Sequence, residues 1–156
     1  LFFWQTISKG AVAMAFFTPR WIVLMALTVP LAACVSREQA DARLARGCAA
    51  AAELFLPEGT KVKEIKGKTF GEAKQGAGFR DVTLSAVETD GWSDVEVEYR
   101  CVFEEQFGFL GNGHTAAIEQ VRLHDNIYGK EEGKILGTFE EHLKLTETVE
   151  KAINAP

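Results

Sequence analysis

The sequence predicts an α+β domain in two layers, an N-terminal helix, an antiparallel sheet of about four strands and a C-terminal helix, on three observations. Two capping boxes, Ser36 with Gln39 and Thr138 with Glu141, each stand before a run of helical periodicity. Between them, residues 79–103 hold two stretches of alternating apolar and polar residues joined by Asp90-Gly91, the signature of a β-hairpin. The chain has 156 residues, 47% hydrophobic and 25% charged, which is the composition and size of one globular domain, and it contains no internal repeat.

Taken in order, the first helix should run from Ser36 to about Leu56, where Pro57 and Gly59 end it. Leu44, Cys48, Ala51 or Ala52, and Phe55 recur at helical spacing and mark its buried stripe. Thr60 to Phe70 reads as a short first strand, although Val62 and Ile65 fit alternation poorly. In the hairpin, a two-residue Asp90-Gly91 turn sets Thr89 against Trp92. Val82, Leu84 and Ala86 then face Tyr99, Val97 and Val95 on the apolar side, and Asp81 faces Arg100 on the other. Phe107 to His114 is a Gly-rich loop, and Thr115 to Leu123 another strand, whose Ile118, Val121 and Leu123 keep one face only if a bulge falls near Glu119. Tyr128 to Gly133 should be a turn. The closing helix carries Phe139, Leu143, Thr146, Val149 and Ile153 as its apolar set.

Charge is unevenly placed. Only Lys9 and Arg20 precede Cys34, so 15 of the 17 basic residues and all 22 acidic ones lie from Cys34 onward. A domain this acidic repels phosphate backbones, which argues against nucleic acid as a partner. Ahead of Cys34, Arg20 is followed by an apolar run from Trp21 to Pro30 and then by Leu31-Ala32-Ala33-Cys34. This is the order of a secretory signal: charged region, short apolar region, small residues at the cleavage point. An apolar run this short spans a bilayer poorly, which disfavours the alternative of an uncleaved anchor with Cys34 as a packing residue.

The tetrapeptide Leu31-Ala32-Ala33-Cys34 resembles the lipobox of bacterial lipoproteins. The resemblance covers Met14 to Cys34. It implies transfer of diacylglyceryl to the Cys34 thiol, cleavage between Ala33 and Cys34, and acylation of the new amino terminus. Because Val35 and not Asp follows the cysteine, the enteric pattern implies an outer-membrane destination, facing the periplasm. The expected organisation is then residues 1–13 as an over-extended N-terminus, 14–33 as signal peptide, 34–38 as a lipidated tether and 39–156 as one small periplasmic-type domain. A tether this short keeps the domain near the membrane.

If Cys34 is acylated, Cys48 and Cys101 remain, in a compartment where disulfides persist. Cys48 lies on the buried stripe of the first helix and Cys101 on the apolar face of its strand, so the two should pair. The alternative is two buried free thiols.

No nucleophile with its base, no separated carboxylate pair and no metal spacing is visible, so no catalytic residue, metal or cofactor is assigned. His114, His124 and His142 read as surface residues, as do Glu104 and Glu105, and His124 and Asp125 point to opposite faces of their strand. Phe107, Phe109 and Leu110, set among Gly108, Gly111 and Gly113, form either an exposed contact for a partner or a cap over the core. Trp92 poses the same choice. Two functional classes follow: a non-enzymatic envelope lipoprotein that binds another envelope protein, or a periplasmic enzyme or small-ligand binder, for which His114, His124 and Glu104 are the residues to examine.

Overall fold

The computed structural model describes residues 35–109 and 112–156. The segment 1–34, with the signal-like run and Cys34, and Leu110 of the Gly-rich loop lie outside the described residues. The elements are α1 (Arg37–Phe55), β1 (Lys61–Glu72), β2 (Phe79–Thr89), β3 (Asp94–Phe107), β4 (His114–Leu123), β5 (Asn126–Glu131), β6 (Lys134–Leu136) and α2 (Phe139–Asn154). All six strands form one antiparallel sheet in chain order. Both capping boxes are made. The Ser36 hydroxyl accepts from the Gln39 N–H while the Gln39 side chain accepts from the Ser36 N–H, and Thr138 and Glu141 repeat the exchange at the start of α2.

The expected four strands become six because the sequence from Asn126 to Leu136 is a hairpin and not a turn. Its two-residue connection is Glu132-Gly133, with both residues in the left-handed region (φ 50° and 76°), which matches the twist of paired strands. Its apolar residues stand in adjacent pairs, Ile127-Tyr128 and Ile135-Leu136, so alternation could not reveal it.

The β2–β3 register differs from the expected one by two residues. Thr89 pairs with Asp94, not Trp92, so Val82, Leu84 and Ala86 face Cys101, Tyr99 and Val97. The cause is the Asp90 carboxylate, which accepts the N–H groups of Trp92 and Ser93 (both 2.8 Å) and draws a four-residue loop around itself. Those bonds hold the Asp90 carboxyl below the usual carboxylate range. A slip of two preserves which face each side chain takes, so the core is the one expected. Two consequences do change. Val95 moves to the exposed end of the strand, and Asp81 faces Val102, with its ion pair to Arg100 made diagonally (Arg100 Nε to Oδ2, 2.8 Å).

Bulges restore alternation where the sequence lacks it. On β1 the register shifts at Lys63 and again at Lys66, so Val62, Ile65 and Phe70 all lie along the helix-covered side, opposite Glu88, Ala86 and Val82. On β4 the shift falls at Glu119, between Val102↔Gln120 and Phe103↔Ile118, which keeps Ile118, Val121 and Leu123 buried together.

Both helices cover the same face of the sheet. Leu44, Cys48, Ala51 and Ala52 of α1 share one core with Leu145, Val149 and Ile153 of α2 and with Val82, Leu84, Tyr99, Phe103 and Val121 of the strands. The buried stripe of α2 therefore runs through Leu145. Phe139 and Leu143, expected inside, are exposed, since at helical spacing both lie off the stripe set by Leu145, Val149 and Ile153. Cys48 is joined to Cys101 by a disulfide (Cα–Cα 5.7 Å) in the middle of this core, stapling α1 to β3. Closing that loop, 53 residues in separation, contributes about 4 kcal/mol in the chain-entropy account.

Candidate interaction site

One end of the sheet gathers most of the domain's functional-looking groups. There the first turn of α1 meets the last residues of β3 and the first of β4. Arg37 forks onto Glu105, Nη1 to Oε1 at 2.6 Å and Nη2 to Oε2 at 2.5 Å. Its Nε lies 3.7 Å from Asp41, one turn along the helix. Arg80 of β2 holds the same Asp41 in a second fork at 3.0 and 2.7 Å. His114 Nε2 sits 3.1 Å from the same Oε2 of Glu105. The result is a continuous chain, Arg80, Asp41, Arg37, Glu105, His114, in which every carboxylate meets at least one guanidinium. Geometry of this kind is bidentate and planar, the form in which arginine pairs are strongest.

Phe107 completes this end. The Arg37 guanidinium lies 4.6 Å above its ring, and the His114 ring lies 4.8 Å from it. A cation over an aromatic face is attracted by the ring quadrupole, so Phe107 is held in place although 41% of it remains exposed. Two residues later Phe109 is 87% exposed and touches none of the core. The Gly-rich loop thus divides the expected apolar set. Phe107 packs at the rim, Phe109 projects, and Leu110 lies outside the described residues. Gly108 is required here, because a Cβ on it would lie 2.0 Å from the Asn112 carbonyl oxygen. Trp92, at the tip of the β2–β3 loop, is also fully exposed.

Three sequence expectations are corrected at this site. The His114 side chain is not on the surface but fully buried, and its Nδ1 has no hydrogen-bond partner among the described residues. His142 is likewise turned inward, with an unpartnered Nδ1. Glu105 is not a solvated carboxylate but the centre of the charge chain. The three residues singled out for an enzyme do not converge. His124 lies at the far end of β4, roughly 30 Å along the strand from His114 at about 3.3 Å per residue. There it sits 3.3 Å from Glu88, which also accepts the Tyr99 hydroxyl at 2.7 Å. Glu104 is exposed on the opposite face of β3 from Glu105. Among the described residues no group of three or more His, Cys, Asp or Glu is placed to hold a metal, and no helix is long and apolar enough to cross a membrane.

Beside His114 a cavity of about 320 Å³ opens between β4 and α2. Ala116 and Ile118 form its strand side, and Val149 and Ile153 its helix side. Thr146, Glu150 and Asn154 form a polar rim, and His114 stands at one end. Nothing local in the sequence marks this place. The charge chain joins residues 39 and 68 positions apart, and the cavity joins two elements separated by a hairpin.

The chain matches no protein-family model, no curated protein and no solved structure.

Proposed function

We propose that this protein is a lipid-anchored module of the bacterial cell envelope, held at the outer membrane through Cys34, that binds another envelope protein through the end of the domain carrying Phe107 and Phe109. The observation that carries the reading is Phe109, a large apolar side chain left 87% exposed two residues beyond Phe107. Arg37, the first residue of that helix, stacks on Phe107, and only Val35 and Ser36 separate Arg37 from Cys34. An anchor on Cys34 would bring this end of the domain to the membrane, where a partner embedded in the same membrane would meet it. The disulfide fits an exported domain, since such bonds persist in oxidising compartments. Rings presented by a braced loop at low entropic cost are what protein interfaces use as anchors.

The test is the Phe109→Ser variant, purified from native membranes after crosslinking. Its unfolding free energy should change by no more than about 0.5 kcal/mol, as for other exposed positions, while its crosslinks to other envelope proteins weaken at least about tenfold, the loss of one interface anchor of some 1.4 kcal/mol. Crosslinks of equal yield in both proteins would refute the assignment of this surface.

A further inference from the structure

The sheet has edges of two kinds. β1, at one side, carries Lys61, Lys63, Lys66 and Lys68 and is bulged twice, at Lys63 and Lys66. Charged side chains, lysine above all, and bulges are the devices that keep an edge strand from pairing with another chain. β4 is treated differently. It pairs with β5 only over Gln120–Leu123. The β5–β6 hairpin then leaves it at Gly129, whose backbone passes so close that a Cβ there would lie 2.4 Å from the Glu119 oxygen. The bulge at Glu119 stands opposite that departure. Among the described residues, His114–Ile118 therefore pairs with β3 on one side and with nothing on the other. Its sequence, His-Thr-Ala-Ala-Ile, has no acidic residue, lysine or proline to guard it.

This open edge is the strand that borders the 320 Å³ cavity under α2. An unpaired edge offers a row of backbone donors and acceptors that only another extended backbone can satisfy in register, and an adjoining pocket selects alternate side chains of that backbone. The small Ala116 leaves the pocket open on the strand side, with Val149 and Ile153 as its apolar wall.

We infer that the β4 edge and the α2 cavity form a binding groove for an extended peptide segment of a partner protein, which adds to the sheet as a seventh strand beside His114–Ile118. The segment places small aliphatic side chains at alternate positions into the cavity. About five residues pair with the edge, a span of roughly 17 Å. This groove adjoins the Phe107 rim at His114 and runs from there along β4 to Ile118, and it does not depend on lipidation.

The probe is a phage-displayed library of random twelve-residue peptides, selected on the full chain, followed by amide hydrogen exchange with a synthetic peptide from the selection. The expected result is a peptide that slows exchange at residues 114–118 at least tenfold, with alternating aliphatic and polar positions. Ala116→Phe, which fills the cavity from the strand side, should weaken that peptide at least tenfold. Because this variant also changes the packing under α2, the exchange pattern of the unaltered protein stands as the independent measurement. Failure to enrich any sequence over selection on an unrelated protein, or protection that falls on β1 or another surface, overturns the proposal. So does protection of residues 114–118 that rises with protein concentration in the absence of peptide, which would identify the occupant as a second copy of the chain.

Discussion

At Tyr99 a single side chain connects the core to the polar end of the sheet. Its ring is buried, and its hydroxyl donates to Glu88, itself buried and within reach of His124. Burial, with the carboxylate beside it, raises the Tyr99 pKa far above the ordinary value of 10.0. A raised folded-state pKa means that the unfolded chain releases this proton first. The contribution of Tyr99 to stability is therefore complete below about pH 10 and is lost as pH rises beyond it. In a Tyr128→Phe background, which leaves Tyr99 as the sole tyrosine, absorbance at 295 nm should show no ionisation near pH 10 and a rise only with unfolding at higher pH. Ionisation at the ordinary value in the folded protein would contradict the buried placement. At Cys48 and Cys101 the expected cost of removing the link, by Cys→Ala at either, is about 2–5 kcal/mol, read as a shift of the unfolding midpoint. Little or no shift would mean the staple is dispensable.

Helix α1 shows how an element can be built for closeness rather than for intrinsic stability. Its buried face is mainly alanine, and Gly47 sits mid-helix, where glycine costs up to about 1 kcal/mol against alanine. The reason is α2. A Cβ at position 47 would lie 2.9 Å from Ile153 Cγ1 and 3.3 Å from Val149 Cγ1. Gly47→Ala should accordingly destabilise the domain by about 1–3 kcal/mol despite the gain in helix propensity, the usual cost of overpacking. A more stable variant would show that the helices can separate without loss. The elements also show what was legible beforehand. Capping residues exposed both helices, because caps are local, and the parity of the β2–β3 hairpin followed from its alternation. The missed register came from Asp90, whose side chain replaced a two-residue turn by a longer one. The missed β5–β6 hairpin carries its apolar residues in adjacent pairs, Ile127-Tyr128 and Ile135-Leu136, so neither strand alternates. Lysine-bearing bulges on β1 disguised Val62 and Ile65 as irregular, whereas the bulge at Glu119 could be deduced because the residues around it are strongly apolar.

For the whole molecule, the division of labour runs along the sheet. Its middle is disulfide, alanine and aliphatic packing. Its His114 end is charge chain, braced Phe107 and exposed Phe109, adjoining the start of α1. Sequence reading found the loop, because large apolar residues among glycines are conspicuous, but not the network beneath it. Arg37, Asp41, Arg80 and Glu105 are ordinary surface residue types, and only folding brings them together. The proposed membrane-anchored role turns on the short connection between that end and Cys34. Its most direct test is the intact mass of the protein recovered from native membranes, compared with Cys34→Ala. The account predicts a polypeptide that begins at Cys34 and carries a diacylglyceryl group and an amide-linked acyl chain, with several chains at roughly 0.8 kcal/mol per buried methylene holding it to the membrane, and a Cys34→Ala protein that bears no lipid. A mass that begins at any other residue, or an unmodified Cys34, would contradict it.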